Sequence, residues 1–264
     1  VLASLLPTGS PSWLYVSDRL MQLPLGIFAI AIATVILPKL SNLFASDSRE
    51  QFSSTLDWSI RLILLIGLPA VIGLVMLAEP IILTLFERGE FGAQDSSMAS
   101  SSLIALAFGL LAFMLIKILT PSFFARQQPK KPMVVALMSM VLNAFLAWLL
   151  AFQLGYAHVG LALASSISAF FTVITLLILL YKDKVYKSSK GWIYFLFRML
   201  IASSVLILLI NFFSQEVEYL RQISEFSRFI YIFKIVLIGM VGYFLCLWIL
   251  GLRIKDFSNT DVFN

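Results

Sequence analysis

The chain has 264 residues, of which 60% are hydrophobic and only 12% are charged. Its mean hydropathy of +0.97 lies outside the usual range of soluble domains and predicts an integral membrane protein. The formal net charge is +5, but the basic residues are dispersed over several loops. A nucleic-acid-binding protein, which needs a contiguous basic face, is therefore not indicated.

About seven apolar runs are long enough to cross a bilayer, whose hydrocarbon core takes roughly 20 helical residues. The runs do not alternate between apolar and polar residues, so helices are favoured over a membrane β-barrel. The sequence predicts an all-α fold, a polytopic membrane bundle of about seven transmembrane helices. We interpret residues 1–6 as the end of a helix that begins upstream. In chain order, the predicted helices cover residues 13–44, 58–77, 98–120, 133–152, 159–181, 192–213 and 229–252.

The charges of the connecting loops alternate along the chain. Lysine and arginine are retained on the cytoplasmic side of a membrane, so we expect the basic loops to be cytoplasmic. The first full helix would then run from outside to inside, and the C-terminus would be cytoplasmic. The basic loops lie at 39–49, 126–131, 182–190 and 253–255, and the acidic loops lie at 79–95 and 216–228.

Residues that could perform covalent chemistry are scarce. Cys246 is the only cysteine and lies within the last apolar run, so a disulfide or thiolate metal site cannot form within this chain. His158 is the only histidine and is interpreted as a loop residue. No Walker loop and no pair of carboxylates for Mg²⁺ is present. We therefore expect no catalytic residue, no metal and no cofactor; an ion gradient or membrane potential could drive the protein, but the sequence names no ion.

The first full helix carries a polar face, which is costly at membrane depth and by default marks a cavity or substrate path. One interpretation is that Arg19 only extends to the outer interface. The other is that Arg19 projects into a water-filled cavity and holds an anionic group, with Asp18 as neighbour, competitor or counter-charge. At about 100° per residue, the face consists of Ser12, Tyr15, Arg19, Gln22 and Gly26, with Asp18 beside it.

The predicted binding residues are Arg19, Asp18, Gln22 and Lys117. Lys117 lies one turn before a proline near the inner end of its helix, and the alternative is that its side chain only extends to the inner interface. Asn143 is mid-helix and is expected to find its partner on a neighbouring helix. Pro24 and Gly26 predict a kink or close packing in the first helix. We expect interfacial anchoring for three further cations, Arg61, Arg198 and Lys234.

Four segments resemble, in the right order, motifs of the MurJ/MviN family. "SWLYVSDRLMQLPLGIFAIAIATVILPKLS" resembles the helix W-x-Y-x-A-D-R-L-x-x-x-P-x-G followed by L-P-x-L-S. "LFERGEF" resembles L-F-x-R-G-x-F, "KILTPSFFARQQPKKP" resembles K-x-x-x-P-x-F-[YF]-[AS]-R-x-D-x-x-x-P, and "HVGLALASS" is similar to G-L-A-L-A-x-S. The chain departs from these motifs at Ser17, where alanine is commoner, and at Gln128, where aspartate is common.

The resemblance implies a fold and a division of the chain. Members of the family are lipid II flippases of the multidrug/oligosaccharidyl-lipid/polysaccharide exporter superfamily, with two pseudo-symmetric lobes and two extra helices. By this resemblance, residues 1–181 form the second lobe, with the end of one helix and about five full helices. Residues 182–264 form the two extra C-terminal helices, which would provide a groove for a lipid tail. Arg19 matches an arginine that lines the central cavity and holds the lipid pyrophosphate.

The implied function is to move the undecaprenyl-pyrophosphate-linked peptidoglycan precursor from the inner to the outer leaflet by alternating access. The implied partners are lipid II, membrane lipids, the N-terminal lobe of the same protein and the cell-wall synthesis machinery. The expected location is the bacterial cytoplasmic (inner) membrane. The alternatives are a related exporter of another cargo, such as an O-antigen lipid or a drug, a polyprenyl-phosphate transferase, and a non-transporting scaffold.

Overall fold

The computed structural model describes residues 2–252, and every regular element in that range is helical. Within the same range, seven helical segments are long and apolar enough to span a membrane. The all-α, polytopic fold predicted from the sequence is therefore confirmed. Arg253 and Lys255, and with them the C-terminus whose side the charge pattern predicts, lie outside the described residues.

The helices follow the predicted order, and several continue for one or two turns beyond the apolar runs. Hydropathy marks only the membrane-length part of a helix, whereas backbone hydrogen bonds also continue through polar residues. The elements are a 3-10 turn (Leu2–Leu5), α1 (Ser10–Pro24), a first π-helical segment (Leu25–Ile30), α2 (Ala31–Ala45), α3 (Arg49–Met76), α4 (Ala78–Phe86), α5 (Ala93–Ala125), α6 (Lys130–Trp148), a second π-helical segment (Leu149–Gln153), α7 (Ala157–Lys182), α8 (Trp192–Phe213), α9 (Val217–Gln222) and α10 (Glu225–Ile249).

The first spanning helix is continuous from Ser10 to Ala45 but changes its hydrogen-bonding pattern in the middle. The π-helical segment begins directly after Pro24, which cannot donate a backbone hydrogen bond. Gly26 has an open surround, with nothing near the position of an added Cβ. The predicted irregularity is thus present as a π-helical segment, and Gly26 does not mark close packing.

The loops define two ends of the bundle. We call the end with residues 46–48, 126–129 and 183–191 the basic end, and the end with residues 77–92, 154–156 and 214–224 the acidic end. Helices α1, α5 and α7 begin at the acidic end, and α3, α6 and α8 begin at the basic end.

Helix α5 is the centre of the larger apolar cluster and contacts α1, α2, α3, α4 and α7. A second, smaller cluster joins α8 and α10 to one side of α3. Tyr243 of α10 is fully buried there, and its hydroxyl donates to the Leu65 carbonyl at 3.1 Å. The division of the chain at residue 181 stays a prediction.

Gly109 lets α5 approach α7 closely. A Cβ at this position would lie 2.7 Å from the Cα of Ser166, which is closer than real contacts allow. We expect Gly109→Ala to lower the free energy of unfolding by about 1 to 3 kcal/mol, because the two backbones must separate. Gly73→Ala is the matched control, since an added Cβ there meets nothing within 4 Å and alanine favours a helix. Thermal unfolding of the purified full-length protein would measure both, and equal midpoints would contradict the close approach.

Candidate functional site

The polar face of the first spanning helix is exposed along its length, from Ser12 through Tyr15, Arg19 and Gln22 in α1 to Gly26 in the first π-helical segment. Its orientation is set by the buried side of the same helix, which packs on α5. The indole of Trp13 donates to Asp95 Oδ1 at 2.7 Å, and the hydroxyl of Ser17 donates to the Ala99 carbonyl at 2.7 Å. These two contacts turn Arg19 away from the rest of the described chain.

Arg19 has a stacking partner but no carboxylate partner within residues 2–252. Its guanidinium lies 4.9 Å from the centroid of the Tyr15 ring. The Asp18 carboxylate accepts a hydrogen bond from Gln22 Nε2 instead, and no ion pair joins Arg19 to the described acidic residues. Asp18 is therefore not the counter-charge of Arg19 in this structure, and the guanidinium is available to an external anion.

Arg19 lies below the level of the acidic end. Trp13 is level with Asp95 at the start of α5, and Arg19 follows it by six residues, or about 9 Å along the helix. Tyr15 is one turn nearer the acidic end, so the Arg19 side chain extends in that direction. This orientation is compatible with both interpretations of Arg19, an anchor at the interface and a binding group in a cavity. Substitutions of Arg19 are needed to distinguish the two.

Lys117 does not join the other predicted residues. It is exposed on α5 and forms no ion pair with residues 2–252. Measured from the contact between Ser17 and Ala99, Lys117 lies about 24 Å farther toward the basic end than Arg19. The structure thus brings Asp18, Arg19 and Gln22 together and places Lys117 separately.

A buried charged cluster at the basic end was missed by the sequence interpretation. Arg61, expected to be an interfacial anchor, is only 1% exposed and donates from Nε to Asp57 Oδ2 at 3.0 Å. Asp57 also accepts from the Tyr186 hydroxyl at 2.7 Å, the Trp192 indole at 2.8 Å and the Ser189 hydroxyl. The sequence contained one indication of this pair, because Asp57 and Arg61 are four residues apart on one helix and such residues can form an ion pair.

The contacts of Arg61 explain how the connection between α7 and α8 is fixed. Its Nη2 donates to Ser189 Oγ at 2.8 Å and to the Lys190 carbonyl at 3.2 Å, and its guanidinium lies 4.9 Å from the Trp192 ring centroid. Burial and the neighbouring Asp57 carboxylate raise the pKa of the Tyr186 phenol, so it stays a hydrogen-bond donor. The cluster therefore ties α3 to the start of α8.

Two residues singled out in the sequence take structural roles. Asn143 donates to Ser165 Oγ of α7 at 3.2 Å, which confirms the expected helix-to-helix partner. His158 is not the loop residue that the sequence predicted, because it lies in the first turn of α7. It is buried, with Nε2 at 3.2 Å from the Met98 carbonyl and its ring 4.8 Å from that of Trp13. His158 is thus part of the packing between α1, α5 and α7. Among residues 2–252, no group of three or more potential ligands could hold a metal ion.

A second charged cluster at the basic end joins the α5–α6 and α7–α8 connections. Asp183 accepts from Arg126 Nη2 at 2.6 Å and from Lys131 Nζ at 2.6 Å. Gln128, at the position where the family motif often has aspartate, accepts from Arg126 Nη2 at 2.9 Å. Asp183, from a distant part of the chain, therefore supplies the carboxylate that Gln128 lacks.

This cluster predicts acid-sensitive stability. Burial of Asp183 opposes its ionisation, but hydrogen bonds from Arg126 and Lys131, with their positive charges, outweigh it and hold the pKa of this carboxyl below its ordinary value. A lowered pKa contributes stability that is present above about pH 3.9 and is lost as the pH falls through the lowered value. We expect the wild type to unfold at a higher temperature than Asp183→Asn at pH 7, with the difference closing below about pH 4.

The control for this pH series is Asp47→Asn, which removes a carboxylate from the exposed pair with Arg49 and should change little at any pH. Thermal unfolding between pH 7 and pH 3 measures both variants. A difference between wild type and Asp183→Asn that stays constant down to pH 3 would contradict the prediction.

An apolar groove of about 230 Å³ lies where the first π-helical segment, α3, α8 and α10 meet. Its walls include Phe28, Pro69, Gly73, Leu206 and Phe244. The groove adjoins the membrane-spanning helices and carries almost no polar surface.

The fold and these features define a multi-pass helical membrane protein, with an exposed polar face that carries Arg19 on one spanning helix and an apolar groove beside that helix. The family model described as "Lipid II flippase MurJ" matches residues 1–231. The chain therefore belongs to the lipid II flippase MurJ family, as the four sequence motifs predicted.

Similar proteins agree with this assignment. The chain is 41% identical over 261 residues to a probable lipid II flippase MurJ of Vibrio cholerae, covering 97% of this chain and 48% of that protein. It is 40% identical to the Haemophilus influenzae relative of the same description, covering 96% of this chain and 50% of that protein. A solved structure titled "Lipid II flippase MurJ, inward closed conformation" matches with a TM-score of 0.77 at 27% identity, covering 98% of this chain and 50% of that one. The chain spans about half the length of these relatives.

Proposed function

We propose that the protein containing this chain is a flippase that moves lipid II from the inner to the outer leaflet of the bacterial cytoplasmic membrane. The observation that carries the proposal is the 41% identity over 97% of the chain to a probable lipid II flippase. The protein would act as a transporter and not as an enzyme, because translocation makes and breaks no covalent bond. It would serve peptidoglycan synthesis.

The polar headgroup is the physical obstacle to this transfer, since each unsatisfied polar group costs several kcal/mol in hydrocarbon. Arg19 offers a guanidinium that no described carboxylate neutralises, and a guanidinium binds phosphate oxygens in a forked geometry. We assign it to the pyrophosphate of lipid II. The Asp18 carboxylate accepts a hydrogen bond from the Gln22 side-chain amide, so it does not compete with the pyrophosphate for Arg19. Lys117 would contact the headgroup only at a stage nearer the basic end.

The second lobe of the transporter would be residues 1–181, and the lipid-tail groove would lie where the two extra helices, α8 and α10, pack against that lobe. The apolar groove between the first π-helical segment, α3, α8 and α10 supports this assignment. The cargo could then keep its tail in the groove and lipid while its headgroup crosses beside Arg19. Two lobes that rock about a fixed site would provide alternating access.

Filling the groove should impair transport without unfolding the protein. Gly73 lines the groove, and nothing lies within 4 Å of an added Cβ. We expect Gly73→Phe to place its ring in the groove and to lower the transport rate by about tenfold or more, because burial of part of the tail is lost. Gly73→Ala is the control and should transport normally. Normal transport by Gly73→Phe at equal abundance would show that transport does not depend on the groove.

The orientation follows from the loop charges: the basic end would face the cytoplasm, as would the C-terminus. A further lobe of the same protein would complete the cavity, and the cell-wall synthesis machinery would be a partner. No cofactor is proposed. The energy source would be an ion gradient or the membrane potential, which supplies about 2.3 kcal/mol per charge per 100 mV.

Complementation tests the proposed function directly. The full-length protein is expressed in a strain whose own lipid II flippase can be depleted, and growth is followed after depletion with membrane abundance checked by blot. Rescue is the expected result, because the cargo must reach the outer leaflet for growth. Failure at normal abundance, together with rescue of an O-antigen or drug-export defect, would assign the protein to a related exporter.

A further inference from the structure

A pocket of about 190 Å³ opens at the basic end, far from the face that carries Arg19. It lies where the α2–α3, α5–α6 and α7–α8 connections meet, and we call it the basic-end pocket. Phe44, which borders it, follows Arg19 by 25 residues, or about 38 Å along the helix. The pocket is therefore a separate site.

Cations outnumber carboxylates around the basic-end pocket. Arg49, Arg126 and Lys184 border it, against Asp47 and Asp183. Asp47 is paired with Arg49, and Asp183 is shared between Arg126 and Lys131, which lies beside it. The bordering cations exceed the bordering carboxylates by one charge, and Lys131 adds a further positive charge beside the pocket.

Arg126 gives a second, independent indication of a missing anion. Its side chain is only 4% exposed, and one of its two terminal nitrogens, Nη1, is buried without a hydrogen-bond partner in the described chain. The other, Nη2, serves both Asp183 and Gln128. A buried guanidinium nitrogen without an acceptor is costly. Because Arg126 borders the pocket, an oxygen of a bound ligand is the group that would supply the acceptor.

We propose that the basic-end pocket binds a phosphate group, with the headgroup of an anionic phospholipid as its source. Guanidinium groups match phosphate oxygens, and basic pockets between membrane helices bind anionic lipid headgroups. The apolar walls, which include Leu43, Phe44 and Phe52, suit the glycerol and the first carbons of the acyl chains. The occupant would join three connections of the bundle that are distant in sequence.

The test uses purified full-length protein in neutral detergent and does not depend on transport. Phosphatidylglycerol, phosphatidylcholine and inorganic phosphate are titrated separately, and the rise in the unfolding midpoint gives an apparent affinity. We expect phosphatidylglycerol to bind more tightly than phosphatidylcholine. The double variant Arg49→Gln, Lys184→Gln should weaken phosphatidylglycerol binding by about tenfold, since each cation near a lipid surface contributes to binding.

The matched control is the double variant Lys130→Gln, Lys187→Gln, which removes two exposed charges at the same end outside the pocket. It should change the affinity by less than about twofold. If the first double variant unfolds early without lipid, the single variant Lys184→Gln replaces it. Stabilisation by inorganic phosphate would show that the phosphate group suffices, and stabilisation by the lipid alone would show that its apolar part also contributes. Equal losses in both double variants, or none in either, would overturn the proposal.

Discussion

Replacing Arg19 with alanine in the full-length protein is expected to abolish rescue of a strain depleted of its lipid II flippase. If Arg19 binds the pyrophosphate as proposed, the variant loses a charge-assisted hydrogen bond worth about 1.5 to 3 kcal/mol, or roughly 10- to 150-fold in affinity. No described carboxylate holds the guanidinium, so its removal should not unfold the protein. Growth after depletion and membrane abundance by blot are the measurements.

Arg19→Lys separates charge from geometry. Lysine keeps the charge but cannot form the forked contact, so failure of both variants would assign Arg19 to a bidentate contact, whereas rescue by lysine would reduce its role to charge. Lys234→Ala is the matched control, because it removes an exposed cation from another spanning helix, α10. Full rescue by Arg19→Ala would show that Arg19 acts only as an interfacial anchor. The family assignment would be unchanged.

Asp57→Asn is expected to destabilise the protein more than any other single change considered above. It leaves Arg61 buried without its counter-charge, and breaking a buried ion pair in this way costs about 3 to 5 kcal/mol. The amide would also turn a donor toward some of the hydroxyl and indole groups that now donate to the Asp57 carboxylate. A large drop in the unfolding midpoint of the full-length protein is therefore expected.

A local readout distinguishes this effect from general instability. The connection between α7 and α8 would lose its contacts with Asp57 and would keep only those with Ser53 of α3 and a weakened contact with Arg61. Trypsin should therefore cut faster after Lys187 or Lys190 under native conditions. Asp47→Asn makes the same chemical change in an exposed pair whose side chains are 83% and 82% accessible, and should alter neither measurement. Unchanged trypsin cleavage in Asp57→Asn would show that the cluster does not hold this connection.

The misreading of Arg61 shows where sequence reasoning reaches its limit. Its position near the end of an apolar run predicted an anchor at the interface, because position along a helix is all that such a run reveals. The burial of Arg61 depends on Ser189 and Trp192, which lie 128 and 131 residues farther along the chain. Asp57, four residues away on the same helix, was the one partner that local spacing could have indicated.

The sequence by itself determined the class, the order of the seven spanning segments and the polar face of α1. These features are local, since membrane-length apolar runs fix the spans and the helical repeat fixes which side chains share a face. Only the tertiary structure decided which distant groups meet: the Asp57–Arg61 pair with the start of α8, Asp183 with Arg126, and Arg19 with no described carboxylate. Pairing depends on which distant segments the packing of α3, α5 and α7 brings together, and no periodicity along one chain contains that information.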